Sequence, residues 1–173
     1  MIRRALLTEN DYSRPGFKLR RVEAIVLHWY GNPATTARFT WHYFDTLRSH
    51  RASAHYLIDD MEIVQAVPDD EVAYGCGPPY TEWATARWGG EHPNWYVIHV
   101  EHSHPDWSGV WTRPVQQRSH VLVAGLCLAY DLDPHTAILR HYDVTGKDCP
   151  RWYVNDHEAW ARYRDTVAGI LEA

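Results

Sequence analysis

The sequence predicts a mixed α/β domain in which helices cover a central sheet. Two observations carry this. Short β-branched apolar runs that read as strands alternate with longer segments of helical spacing, and no repeat, low-complexity tract or Pro/Ser linker divides the 173 residues. Residues 1–173 are therefore expected to form one domain around one core. Net charge is −5 and Lys and Arg form no long run, so the footprint of a duplex-binding protein is missing and nucleic acid is not an expected partner. No segment reaches transmembrane length, so membrane insertion is not expected either.

The elements follow in order. "RVEAIVLHWY" reads as a buried strand that stops at the turn "GNP", which puts His28 at a strand end. In "TARFTWHYFDTLRSH", Phe39, Tyr43, Phe44 and Leu47 form a helical stripe, with caps expected among Thr35 and Thr36. "AHYLIDD" and "EIVQAV" read as a hairpin turning at Asp59-Asp60-Met61, although that turn lacks the usual glycine. A Gly/Pro-rich stretch from Gly75 to Gly90 precedes the strand "NWYVIHVEHS", where alternation puts Val97, His99 and Glu101 on one face and Ile98, Val100 and His102 on the other.

After the loop "SHPDWSGVWTRP", Pro114 opens a helix with Val115, Leu122, Leu126, Ala129 and Tyr130 at helical spacing. "AILRH" is a short strand ending at His141. The closing helix is expected to start with a capping box of Asn155 and Glu158 and to bury Trp160, Tyr163, Val167, Ile170 and Leu171. The nine tryptophans exceed what a core needs, and those at 29, 88, 95 and 107 read equally as core or as stacking surfaces for sugar or peptide.

The three cysteines, at 76, 127 and 149, are odd in number and widely spaced, so a disulfide framework is not indicated. Cys127 sits in an apolar helical run and reads as core, and Cys76 lies in a turn with no role assigned. Cys149 is different. It stands eight residues after His141 in "RHYDVTGKDCPRWY", across a glycine turn able to fold imidazole and thiolate toward one point. His and Cys are good zinc ligands, and His28 is the natural third. Three protein ligands leave a fourth position for water, the catalytic arrangement, in which the ion makes hydroxide accessible near neutral pH. Glu101 is then placed to move protons, and Lys147 to offset charge on a substrate oxygen. Taken singly, each of these residues reads as well as an ordinary structural or solvated side chain.

Taken together, "AIVLHWYGNP", "SAHYLIDD", "EIVQAVPDDEVAYGCG", "YVIHVEHS" and "LRHYDVTGKDCPRWY" resemble the zinc-dependent N-acetylmuramoyl-L-alanine amidases of the phage-endolysin and AmpD type, over nearly the whole chain and in the right order. The resemblance implies zinc (Zn2+) held by His28, His141 and Cys149, Glu101 as acid/base and Lys147 as stabiliser of the intermediate. It also implies a fold like that of the peptidoglycan recognition proteins. The substrate implied is bacterial peptidoglycan, cut between N-acetylmuramic acid and L-alanine.

One departure is Ala54, where short phage lysozymes of this group carry a tyrosine; a tyrosine role is not carried over, Glu101 is expected to do that work, and His55 reads as structural. A separate wall-binding module is not seen, and the N-terminal Ala5-Leu6-Leu7 is too short for a signal peptide. The expectation is a monomer of phage or prophage origin, made in the cytoplasm and acting on the wall after release. The alternative is a recognition module that binds peptidoglycan without cutting it, but such relatives lack the thiolate. A zinc nucleobase deaminase is excluded: His99-Val100-Glu101 imitates its His-x-Glu, but Pro-Cys-x-x-Cys is missing and Cys149-Pro150 runs in the reverse order.

Overall fold

A computed structural model describes all residues, Met1–Ala173. Six strands form one mixed sheet: β1 (Ile2–Arg4), β2 (Ala24–Trp29), β3 (Tyr56–Ile58), β4 (Ile63–Gln65), β5 (Val97–His102) and β6 (Ile138–Arg140), in the order β1-β4-β3-β5-β2-β6. Only β3 and β4 pair antiparallel. The helices are α1 (Ala37–Thr46), α2 (Glu82–Arg87), α3 (Arg113–Tyr130), α4 (Pro134–Ala137), α5 (His141–Thr145), α6 (Arg151–Asn155) and α7 (His157–Leu171). The expected α/β architecture with a helix-flanked mixed sheet is what the chain adopts.

β2 and β5 are buried on both faces, as strands at the centre of a parallel sheet must be, and β2 accordingly reads as an apolar run up to His28, while β5 carries buried His99 and His102 among its apolar residues. On one face Ile25, Leu27, Ile98 and Val100 pack against Leu122, Val123 and Leu126 of α3 and Trp160, Tyr163 and Val167 of α7. The opposite face is shared by two smaller clusters. Leu57 and Val64 meet Ala37 and Phe44 of α1, while Ala24, Val26 and Val97 meet Ala84 of α2 and Val144 of α5. His28, His99 and Glu101 follow the parity of Val26 and Val97, so they belong to this second face.

Several local expectations change. The hairpin turns without glycine because Asp59 supplies the missing bonds: its Oδ1 accepts from the backbone of Met61 and Glu62, both at 2.8 Å. Its Oδ2 also accepts from Ala37 N–H at 2.8 Å, adding to the Thr36 cap of α1. The cap of α7 is Asp156, which accepts from Ala159 N–H at 2.8 Å, and not Asn155, because α6 runs on through that residue. Ile170 and Leu171 are exposed, since the last turn of α7 extends past the core. In α1 the buried face is Ala37, Thr40 and Phe44, which leaves Phe39 and Tyr43 in solvent. The edge strand β1 has no apolar alternation, all three of its residues being exposed, and nothing in its sequence announces it.

Candidate active site

The carboxyl ends of three adjacent parallel strands meet on one side of the sheet, where open α/β sheets place ligands. The β2–β5 register pairs His28 with Glu101, and β2–β6 pairs Leu27 with Arg140, so one step on His28 lies beside His141. Glu101, His28 and His141 thus form a row across the sheet. After β6 the chain turns at once into α5, whose base is held by Arg140: its guanidinium binds Asp143 at 2.6 Å and donates to Tyr153 O at 2.9 Å. α5 ends at Gly146 in the left-handed region, φ 77°, and the chain doubles back. Tyr142 N–H donates to Cys149 O at 2.9 Å, which closes the loop and brings the thiol under the row.

The result is a tight donor cluster. His28 Nδ1 lies 3.0 Å from His141 Nδ1 and 4.0 Å from Cys149 Sγ, and the three donor atoms all lie within 4.8 Å of one another. Tetrahedral zinc with bonds of 2.0–2.1 Å to nitrogen and 2.3 Å to sulfur needs N–N and N–S separations of about 3.3 Å and about 3.6 Å. The two separations from His28 lie within a few tenths of an ångström of these, and two imidazoles with a thiol are a zinc-type donor set, so these residues fit that ion. All three are buried, as an unscreened ligand set should be.

Burial also shapes the electrostatics. It holds the His28 imidazole well below its ordinary range, helped by His141 and His99 beside it, and lowers His141 to about 4, with the Lys147 charge adding to the effect. Both rings are therefore neutral and able to donate a lone pair. Burial pushes the Cys149 thiol up, with Glu101 adding to the rise, and raises the Glu101 carboxyl to about 8 against the pull of Lys147. Glu101 Oε2 is buried without any hydrogen-bond partner. An orphaned carboxylate oxygen of this kind costs free energy unless a proton or a cation meets it.

Glu101 and Lys147 also line a cleft of about 380 Å³, together with Tyr30, Asn32, Phe39 and Tyr43. All five residues singled out in the sequence are thus brought to one place. The sequence reading missed Phe39 and Tyr43 as cleft residues, because aromatic residues at helical spacing read as core. It also missed Asn94 and Cys76, both buried behind His28. His102, by contrast, turns away: its Nδ1–H donates to His28 O at 2.8 Å, its ring stacks on Trp111, and its Nε2 meets Ser119 on α3 at 2.7 Å. His55 is structural, with Nε2 donating to Glu71 O at 2.9 Å and Nδ1 accepting from His99 N–H at 2.9 Å. Among the tryptophans, Trp88 is core and Trp107 is exposed.

Fold and site together define an α/β domain with a buried His-His-Cys donor set and an unpaired carboxylate at the ends of its parallel strands. The Amidase_2 family, N-acetylmuramoyl-L-alanine amidase, matches residues 18–152, and the chain belongs to that family. It is 32% identical to N-acetylmuramoyl-L-alanine amidase BlyA of Bacillus subtilis (strain 168) over 167 residues, 91% of this chain and 44% of that protein. It is also 32% identical to N-acetylmuramoyl-L-alanine amidase CwlL of Bacillus licheniformis over 166 residues, 94% of this chain and 45% of that one. The chain thus spans less than half the length of these curated relatives. The structure of PlyL superimposes with a TM-score of 0.77 at 22% identity, covering 96% of each chain, which is a likeness of fold.

Proposed function

We propose that residues 1–173 form one catalytic domain of a zinc-dependent N-acetylmuramoyl-L-alanine amidase, which hydrolyses the amide between the lactyl group of N-acetylmuramic acid and L-alanine in bacterial peptidoglycan. The observation that carries this reading is the row Glu101–His28–His141 closed by Cys149: a zinc-type donor set with a carboxylate of raised pKa beside it and a cleft in front. His28, His141 and Cys149 would hold the ion. When bound, zinc supplies Lewis acidity, polarising the scissile carbonyl and acidifying the attacking water.

Glu101 accepts the proton from that water as its oxygen bonds to the carbonyl carbon. It then returns a proton to the nitrogen of L-alanine as the C–N bond breaks, leaving a carboxylic acid and an amine. Burial raises the Glu101 pKa and Lys147 lowers it, and a cation held by His28, His141 and Cys149 would lower it further, toward the range in which the side chain can both take up and return a proton. The Lys147 ammonium, on the rim of the cleft, balances the negative charge that grows on the carbonyl oxygen. No helix of the chain is long and apolar enough to cross a membrane, and the substrate reading places the site of action at the cell wall.

The test is mass spectrometry of purified peptidoglycan after digestion. A new free amine on L-alanine, formed with zinc and lost on chelation, supports the proposal. Cleavage at a glycosidic bond or within the stem peptide contradicts it, as does undiminished lysis after zinc has been stripped.

A further inference from the structure

Behind His28, on the side away from Cys149, lies a buried chain of hydrogen bonds that the proposed reaction does not use. His28 Nε2 is 3.0 Å from His99 Nδ1, and His99 Nε2 is 2.9 Å from Asn94 Oδ1. His28, His99 and Asn94 are all at least 98% buried, so no water competes for these contacts.

The direction of every bond in this chain follows from its far end. Asn94 is gripped by the backbone of Cys76 at both ends of its amide: Cys76 N–H donates to Oδ1 at 3.1 Å, and Nδ2 donates to Cys76 O at 3.1 Å. A flipped amide would set N–H against N–H and oxygen against oxygen, so Oδ1 must face His99. Being an acceptor, it requires a proton on His99 Nε2. Neutral His99 then has a lone pair on Nδ1, which requires a proton on His28 Nε2. The Nδ1 of His28, the atom facing His141 and Cys149, is left with its lone pair.

The seat of His99 is fixed as well. A Cβ on Gly75 would lie 2.3 Å from the ring, the His55 ring stacks on it with centroids 5.9 Å apart, and its own N–H is held by His55 Nδ1. These neighbours pack the ring into its seat from both sides.

We propose that Asn94 and His99 are positioning residues that lock His28 in the tautomer with Nδ1 free for a metal ion, Asn94 taking its own orientation from the Cys76 backbone. This inference rests on the zinc reading given above. Partners of this kind orient a ligand and raise its basicity, and their loss weakens metal binding about 10–100-fold. The same atoms allow a rival arrangement, because His28, His99 and Cys76 also bring three donors within 4.8 Å of one another. The grip on Asn94 puts a proton on His99 Nε2 in both arrangements, so they differ only in whether the His99 Nδ1 lone pair meets a proton on His28 Nε2 or a metal ion, and the experiment separates the two.

The experiment uses the full chain labelled with 15N-histidine. Two-bond 1H–15N correlation spectra of the chelator-treated protein are expected to show His28 and His99 as Nε2–H tautomers, with His102, whose Nδ1 donates to a carbonyl, as the opposite internal reference. Zinc affinity, measured by competition with a chromophoric chelator, is expected to fall about 10–100-fold in His99→Phe. It should recover largely in His99→Asn, whose Oδ1 can occupy the place of the lost acceptor. Finding His28 as the Nδ1–H tautomer overturns the proposal without any variant, so misfolding of His99→Phe cannot shelter it. Wild-type affinity in a folded His99→Phe also overturns it. So does binding of two zinc ions per chain with one lost in Cys76→Ser, because His99 would then be a ligand. A wild-type protein that binds no zinc sinks the amidase reading instead, while the tautomer spectrum still decides the relay.

Discussion

His28 and Glu101 are register partners on neighbouring parallel strands, so their side chains leave the same face of the sheet, one into a cluster of metal-type donors and the other into a cleft with an oxygen unpaired. Strand register sets this separation, and loop motion cannot vary it. Glu101→Gln preserves shape and removes only the ability to carry a proton. The expected result is one zinc per chain, as in the wild type, with kcat/KM reduced about 10²–10⁴-fold. Zinc analysis beside a wall-lysis assay checks both halves. Loss of the metal together with activity would mean that Glu101 is a ligand.

Cys149→Ser acts on the other side of the row. Serine replaces a soft thiolate by a weakly acidic hydroxyl at a buried position, so the donor set loses both charge and its match to zinc. Zinc content after dialysis against a mild chelator is expected to fall below the wild-type value, and lysis to disappear. Cys127→Ser, far from the cluster in α3, should change neither metal content nor the bond cut, and its cost should appear only in stability.

Much of this was legible in the sequence, for physical reasons that differ along the chain. β2 and β5 announced themselves because both faces are buried, and α3 and α7 because one stripe of each is. The row at the strand ends was legible from His28 closing one apolar run and His141 another. Phe39 and Tyr43 were misjudged because apolar periodicity reports which residues share a helix face, and that face can meet a cleft instead of the core. Asn94 and Cys76 carried no signal, since their roles depend on a backbone-to-side-chain grip between segments 18 residues apart. The edge strand β1 is held by backbone bonds to β4, which leave no hydrophobic pattern.

Stability of the zinc-stripped protein should peak in mildly acidic solution. Folded Glu101 holds its proton up to about pH 8, against an ordinary value of 4.5, so the folded state carries the extra proton and stability falls as pH rises through that window. On the acid side, His141 is lowered from 6.5 to about 4, so the unfolded chain takes up the proton first and stability falls as pH drops from 6.5 toward 4. Glu101→Gln should abolish the alkaline slope. At about 1.4 kcal/mol per pKa unit, it is expected to stabilise the stripped protein by at least about 2 kcal/mol at pH 8 and hardly at all at pH 4.5. Urea melts at the two pH values decide this, and an unchanged difference between them would contradict it.

Gly75→Ala should be among the most damaging small substitutions in the chain. The new methyl would sit 2.3 Å from Cγ and 2.4 Å from Nδ1 of His99, whose ring is backed by His55 and must shift to make room. Overpacking of this kind costs about 1–3 kcal/mol. Because the displaced ring also touches His28, zinc affinity is expected to fall along with the urea midpoint. Gly125→Ala, where a Cβ meets nothing within 4 Å, is the matched control and should be neutral or slightly stabilising.

Phe39 is 64% exposed on the solvent side of α1, yet it lines the cleft that holds Glu101 and Lys147, with Tyr43 one turn further on. An apolar ring left in water at the cleft that Glu101 lines contributes little to folding, because its removal uncovers no core. It does offer a flat face against which a substrate's sugar or peptide can lose water. Phe39→Ala should therefore leave the thermal midpoint within about 1 °C of wild type, a shift that corresponds to a few tenths of a kcal/mol in a domain of this size. KM for soluble muropeptide is expected to rise about 3–10-fold with kcat held, the mark of contacts made equally in ground and transition states. If kcat falls while KM stays constant, the ring acts on the reacting bond; if neither changes, the substrate lies elsewhere along the sheet end.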